Sequence, residues 1–190
     1  MSKRYKQLEE GDIFSIVLSN DIWTIGQLCH LFKEGKKYVQ HTLAFFDCKF
    51  ESEIEILEEI NDLDLSNPIC IETINGHPLK DYKLKFVTNK EIFYKNIPNF
   101  KNDIHLPSGL YKLRTIDFML ILKPFFGLVP WDAYYKDDYV DEHLIEGVKK
   151  RDDVTYMKDF SIDELKEILT PENLKLNQLL EECRLPTYQE

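Results

Sequence analysis

The amino-acid sequence predicts an α+β fold, with an N-terminal, mostly antiparallel β meander or small barrel and short C-terminal helices packed on it. Three observations support this prediction. Over residues 12–50, runs of β-branched and apolar residues alternate with tight turns at roughly ten-residue spacing, as in small β proteins. After residue 160, apolar residues recur at the spacing of one helix face. Hydrophobic residues form 43% of the 190, which is enough apolar material to bury a core.

The first element is a β-hairpin over residues 11–28, GDIFSIVLSNDIWTIGQL. Residues 13–18 and residues 22–28 are rich in isoleucine and other apolar residues, and they predict the two strands. Ser19-Asn20-Asp21 lies between them and favours a turn, because these short polar side chains hydrogen-bond to neighbouring backbone groups. A third strand is expected over residues 38–46.

The next segment, ESEIEILEEI at residues 51–60, supports two interpretations. Ile54 and Ile56 alternate with glutamates as in a half-buried strand, whereas glutamate itself favours a helix, and both alternatives stay open. The apolar and β-branched character of residues 69–74 predicts a strand, and a further strand is expected over residues 84–87.

The C-terminal half adds one strand and two helices to the prediction. The apolar run of residues 116–122 suits a buried strand. Ser161 and Glu164 fit a capping box at the start of one helix. Thr170 followed by Pro171 predicts the N-cap and first position of a second helix.

One domain is expected over residues 1–190, with a β-rich part, residues 8–130, and an acidic, helical part, residues 131–190. The whole chain has a net charge of −10, and residues 132–190 hold 16 acids against 8 bases. This charge argues against nucleic-acid binding, because the phosphate backbone binds basic surfaces. Two interpretations of the acids stay open: they complement a basic protein partner, or they only keep the protein soluble.

A cytoplasmic location is expected. Residues 1–10 do not resemble a signal peptide, because Leu8-Glu9-Glu10 stands where an apolar core should begin. The longest apolar run, residues 118–130, is interrupted by Lys123 and Pro124 and is too short to span a membrane. The four cysteines are dispersed, so reduced thiols are expected rather than a disulfide framework.

The sequence contains no familiar catalytic motif, so we expect neither an enzyme nor a bound cofactor. Cys29, His30 and His41 come nearest to a metal-binding pattern. Adjacent residues on a strand point to opposite faces, and Cys29 and His30 are therefore not expected to share an ion.

The candidate partner-binding site is WDAYYKDDYVDEH, residues 131–143, which interleaves aromatic and acidic residues. Aromatic side chains offer large contact areas with few torsions to freeze, and acids complement a partner rich in lysine and arginine. The alternative is that the aromatic residues pack inward while the acids face water. The residues predicted to bind the partner are Trp131, Asp132, Tyr134, Tyr135, Asp137, Asp138, Tyr139, Asp141 and Glu142.

The hairpin and two later patches resemble the immunity protein 26 family of bacterial polymorphic toxin systems. The resemblance covers roughly residues 8–105 and implies a cytoplasmic, non-catalytic protein that binds and blocks a toxin domain. The residues that carry it are Gly11-Asp12-Ile13-Phe14, Leu18, Gly26-Gln27-Leu28, Leu43-Ala44-Phe45-Phe46-Asp47, Leu84-Lys85-Phe86-Val87 and residues 97–103.

The leading hypothesis is therefore an immunity protein that neutralises a cognate toxin domain by occluding its active site. A nuclease is the expected toxin, because a basic cleft suits an acidic inhibitor. A hypothesis of another class is a small-barrel RNA-binding or endoribonuclease-type toxin–antitoxin protein of the MazF/PemK kind, since those proteins also open on a Gly-Asp-Ile strand. A third is a non-catalytic adaptor for another basic partner.

Overall fold

The structure, a computed structural model, describes residues 7–34, 37–75, 81–94 and 117–182. The chain divides into two compact units, Met1–Phe118 and Met119–Glu190. The described part of the first unit holds five strands and the helix Glu53–Glu59, and that of the second holds short helices and turns. That residues 1–190 form a single domain stays a prediction.

The first unit is built on a five-stranded antiparallel sheet in the order β4-β3-β2-β1-β5. Four strands follow one another as a meander, and β5 pairs with the free side of β1. The predicted α+β class with an antiparallel meander is confirmed. The strands are β1 (Asp12–Ser19), β2 (Ile22–Glu34), β3 (Lys37–Phe45), β4 (Cys70–Asn75) and β5 (Lys85–Asn89).

The predicted hairpin is formed by β1 and β2, and the residues at its base join it to the end of β5. The Gly11 N–H donates to the Leu28 carbonyl at 2.7 Å, and the Lys90 N–H donates to the Gly11 carbonyl at 3.0 Å. Gly11 has a φ of 94°, and a Cβ there would lie 2.5 Å from the Lys90 carbonyl oxygen, so this position requires glycine. Gln27, which is fully buried, donates from Nε2 to the same Lys90 carbonyl at 2.9 Å.

The ambiguous segment of residues 51–60 forms a helix, α1 (Glu53–Glu59). The Ser52 hydroxyl caps it by accepting a hydrogen bond from the Glu55 N–H at 3.3 Å. Ile56 and Ile60 lie one turn apart and are buried against one face of the sheet, in a core that also holds Ile13, Ile25, Cys29, Ala44, Phe46, Phe50, Leu65 and Tyr94. The helical alternative is favoured because this spacing aims both isoleucines at the core.

The strand predicted over residues 116–122 is wrong, because Met119–Phe125 form a helix, α2. Methionine, leucine and lysine are good helix formers, and a short apolar run cannot be assigned to strand or helix from its periodicity alone. Ile121 and Leu122 are fully buried, so the expectation of burial at these positions was correct.

Two further helices follow in the second unit, α3 (Ile162–Ile168) and α4 (Leu174–Glu182). The capping box before α3 is confirmed: the Glu164 N–H donates to the Ser161 hydroxyl at 3.3 Å, and the Ser161 N–H donates to the Glu164 carboxylate at 2.7 Å. The predicted start of the second helix at Thr170-Pro171 is wrong. Asn173 caps α4 instead, since its Oδ1 accepts from the Leu176 N–H at 3.0 Å.

The second unit has its own apolar cluster, which α3 and α4 cover. Its buried members are Ala133, Met157, Leu165, Leu169 and Leu176. Short 3-10 turns at Asp141–His143 and Met157–Asp159 connect the parts of the unit.

Several predicted features lie outside the described residues, and the structure does not address them. They are residue 116 of the predicted strand, the family resemblance at residues 97–103 and the fourth cysteine, Cys183. In the part of the chain that is described, no helix combines the length and the apolar character needed to cross a membrane.

Candidate functional site

The acidic aromatic segment (residues 131–142) is fixed at its start by hydrogen bonds to later parts of the same unit. The Trp131 N–H donates to the Thr155 carbonyl at 2.8 Å. The Asp132 carboxylate accepts from the Met157 N–H at 2.8 Å, and the Asp132 carbonyl accepts from Lys175 Nζ at 2.6 Å. Asp132 therefore joins the segment to the rest of the unit.

Trp131 is fully buried, and two charged residues contact its indole ring. Its indole Nε1–H donates to the Asp141 carboxylate at 2.8 Å. Lys150 Nζ lies 4.4 Å from the ring centroid and 2.9 Å from a carboxylate oxygen of the same Asp141. Buried indole N–H groups need a hydrogen-bond acceptor, and the cation over the ring face adds an electrostatic attraction. Trp131 is consequently part of the interior of the unit.

Tyr139 forms the centre of a second aromatic group and is also buried. Its ring centroid lies 5.2 Å from that of Tyr134, 5.4 Å from that of Tyr135 and 4.9 Å from that of His143. These separations are those of favourable edge-to-face and tilted ring pairs. Tyr134, Tyr135 and His143 thus lie around Tyr139, which they help to bury.

The solvent-facing part of the segment consists of Tyr135 and the carboxylates beside it. Tyr135 is 58% exposed, and Asp137 and Asp138 are exposed. Asp137 pairs with Lys175. Glu142 accepts from Lys136 Nζ at 2.8 Å, and this hydrogen bond raises the pKa of the Lys136 ammonium above its ordinary value.

The nine predicted residues therefore fall into three groups. Trp131 and Tyr139 lie in the interior, as the alternative interpretation of the segment expected of its aromatic residues. Tyr134 and Asp132 are half-buried. The exposed residues of the nine are Tyr135, Asp137, Asp138, Asp141 and Glu142.

Sequence reasoning missed a surface on the first unit. On α1, Ile54 is 67% exposed and Leu57 is 54% exposed. Ile54 and Ile56 are two residues apart and point about 200° apart around a helix, so one buried stripe cannot hold both. That spacing was the available signal, but it also fits a strand, and the strand alternative was left open.

The described cysteines, Cys29, Cys48 and Cys70, carry free thiols. Burial raises the pKa of Cys29 to about 12 and that of Cys48 to about 11. Burial also raises the pKa of Cys70 well above its ordinary value. All three are therefore protonated near neutral pH and unsuited to act as nucleophiles, since the thiolate is the reactive form.

The Cys29-His30 pair has the geometry expected for neighbours on a strand. The Cys29 Sγ lies in the core, 3.2 Å from the Thr42 carbonyl, whereas His30 is partly exposed and its Nδ1 is 3.0 Å from the Glu10 carboxylate. Among the described residues, no group of three or more His, Cys, Asp or Glu side chains is arranged to hold a metal ion.

Comparison with known proteins gives no match to a family model, to a curated protein or to a solved structure.

Proposed function

We propose that this protein is an immunity protein that binds a cognate bacterial toxin domain and neutralises it by covering the toxin's active site. The observation that carries the proposal is the exposed group of Tyr135, Asp137, Asp138, Asp141 and Glu142 at the surface of the second unit. An exposed aromatic ring in a segment that also exposes four carboxylates suits a basic protein surface. The resemblance of the β1–β2 hairpin to the immunity protein 26 family supports the assignment to this class.

The nature of the expected toxin follows from charge. A net charge of −10 repels nucleic acids and attracts a basic cleft, such as that of a nuclease, and complementary fields raise the rate of association. In this proposal the protein acts by occlusion, without catalysis or a cofactor, and it works in the cytoplasm, where a toxin that enters the cell must be met.

In this proposal, the residues that resemble the immunity protein 26 family have a structural role. Gly11 and Gln27 both bond to the backbone of the loop after β5, through Lys90, and neither presents a free polar group to a partner at the surface. We therefore assign the hairpin a structural role and the second unit the contact with the toxin.

The test is co-expression with the toxin domain encoded immediately upstream in the genome. We expect a complex that survives purification at low salt and weakens steeply as salt rises, because screening removes the attraction between the acids and a basic cleft. Asp138→Lys should weaken the complex, whereas Glu181→Lys, a charge reversal elsewhere in the same unit, should not. Failure to bind any neighbouring toxin domain, or RNA cleavage by the protein itself, would overturn the proposal.

A further inference from the structure

Helix α1 presents apolar side chains on two sides. Ile56 is fully buried, and Ile60, just beyond the helix, is buried with it. Ile54 and Leu57 are 67% and 54% exposed. Residues three apart on a helix are neighbours on its surface, so Ile54 and Leu57 form one apolar patch beside the buried stripe.

The acids around this patch are unusually dense. Residues 51–64 contain seven acids and no lysine or arginine. Glu51, Glu58, Glu59 and Asp62 are all exposed. Lys85, from β5, pairs with Glu53 at 2.5 Å, which places this cation at one end of the helix. Lys90 Nζ, at the other end of the helix, donates to the Ile60 carbonyl at 2.6 Å. Between these two cations, the surface around the apolar patch is negative.

We propose that the outer face of α1, formed by Ile54, Leu57 and the surrounding carboxylates, is a docking surface for a cationic amphipathic segment of a partner protein. Exposed apolar patches bordered by polar residues mark protein-interaction sites, and an amphipathic helix or strand binds such a patch through its apolar face. The flanking carboxylates would meet the lysine or arginine residues of that segment.

The negative charge around this patch argues against other kinds of binding partner. A second copy of this chain would bring seven further acids against the patch, and like charges across an interface are costly. Nucleic acids and anionic membrane surfaces are repelled for the same reason. This surface lies on the first unit, whereas the proposed toxin contact lies on the second, so the inference holds whether or not the toxin is the partner.

A synthetic amphipathic peptide of leucine and lysine, about four helical turns long, is a suitable probe. Its binding to the full chain can be followed by calorimetry. We expect Ile54→Glu and Leu57→Glu each to weaken binding by at least about tenfold. These substitutions add negative charge, so attraction by charge alone would strengthen binding, and only loss of the apolar contact explains a decrease.

Leu174→Glu is the matched control, because Leu174 is also a 67% exposed apolar residue on a helix, but in the second unit. It should leave peptide binding unchanged. Leu57→Ser, which adds no charge, should also weaken binding, and circular dichroism should show that every variant is folded. If Ile54→Glu or Leu57→Glu does not fold, peptide binding by Leu57→Ser is compared with that of wild type instead.

Three results would overturn the inference. The first is that wild-type protein does not bind the peptide. The second is that the Ile54 and Leu57 variants bind it as well as or better than wild type does. The third is self-association of the wild-type chain that Leu57→Glu abolishes, since this would make the patch an interface between copies.

Discussion

The acidic aromatic segment in the second unit and α1 in the first contain the same two kinds of side chain, but the fold arranges them in opposite ways. In the segment, the large aromatic residues Trp131 and Tyr139 are buried and the acids stay outside. On α1, the apolar residues Ile54 and Leu57 stay outside together with the acids. Interleaved apolar and acidic residues in a sequence therefore do not reveal by themselves which apolar groups are free to contact a partner.

The largest expected effect concerns Trp131. Trp131→Ala should lower the free energy of unfolding of the second unit by about 3–5 kcal/mol, because it removes a large buried side chain and leaves a cavity. Urea denaturation followed by circular dichroism measures this. Tyr135→Ala, at an exposed site in the same segment, is the control and should change stability little. Unchanged stability in Trp131→Ala would mean that the ring is at the surface and available as the aromatic anchor that the sequence suggested.

Adjacent residues on α1 give the next test. Ile56→Ala should cost about 2–5 kcal/mol of unfolding free energy, since Ile56 is fully buried. Leu57→Ala should change it by no more than about 0.5 kcal/mol, since Leu57 is largely exposed. Chemical denaturation of the two variants compares them directly. Equal losses would contradict the division of α1 into a buried and an exposed side, and the docking surface with it.

The core beneath α1 should also make stability depend on alkaline pH. Burial raises the pKa of Cys29 from 9.0 to about 12 in the folded protein, while the unfolded thiol ionises near its ordinary value. Between about pH 9 and pH 12 the Cys29 thiol therefore stays protonated in the folded state and ionises in the unfolded state. The stabilisation is therefore complete below about pH 9 and falls by about 1.4 kcal/mol per pH unit as the pH rises toward the folded pKa.

Cys29→Ala isolates this contribution. Denaturation midpoints of the variant should decline less steeply than those of wild type above about pH 9. Identical slopes in the two proteins would show that Cys29 is not buried in this core.

The smallest effect on stability is expected at the surface of the acidic aromatic segment. Glu142→Gln removes the ion pair with Lys136, and we expect the denaturation midpoint to stay unchanged because exposed ion pairs contribute little. The pKa of Lys136 should fall toward its ordinary value, because the hydrogen bond to the Glu142 carboxylate is the main cause of its rise, and amine titration by NMR would detect this. A clear drop in stability would assign Glu142 a structural role and remove it from the proposed toxin contact.

The hairpin was predictable because its signals are local. The residues of β1 and β2 favour extended backbone, and Asn20-Asp21 favours a turn through side-chain hydrogen bonds to the nearby backbone. The capping box of Ser161 and Glu164 is equally local, since its two hydrogen bonds span three residues. The structure confirms both.

The candidate site was less predictable, because its geometry depends on residues far apart in the chain. Trp131 is held by Asp141 and Lys150, ten and nineteen residues away, and no pattern within residues 131–142 specifies the second of these contacts. The exposed patch on α1 was missed because the choice between strand and helix was itself undecided.

The sequence by itself determined the antiparallel meander, the capped helix α3 and the acidic charge of the chain, because backbone preference, neighbouring hydrogen bonds and charge are properties of short segments. Only the tertiary structure decided that residues 53–59 and 119–125 are helical, that Trp131 faces inward and that Ile54 and Leu57 face outward. Those outcomes depend on which side of each segment meets an apolar surface contributed by distant parts of the chain, and no short segment contains that information.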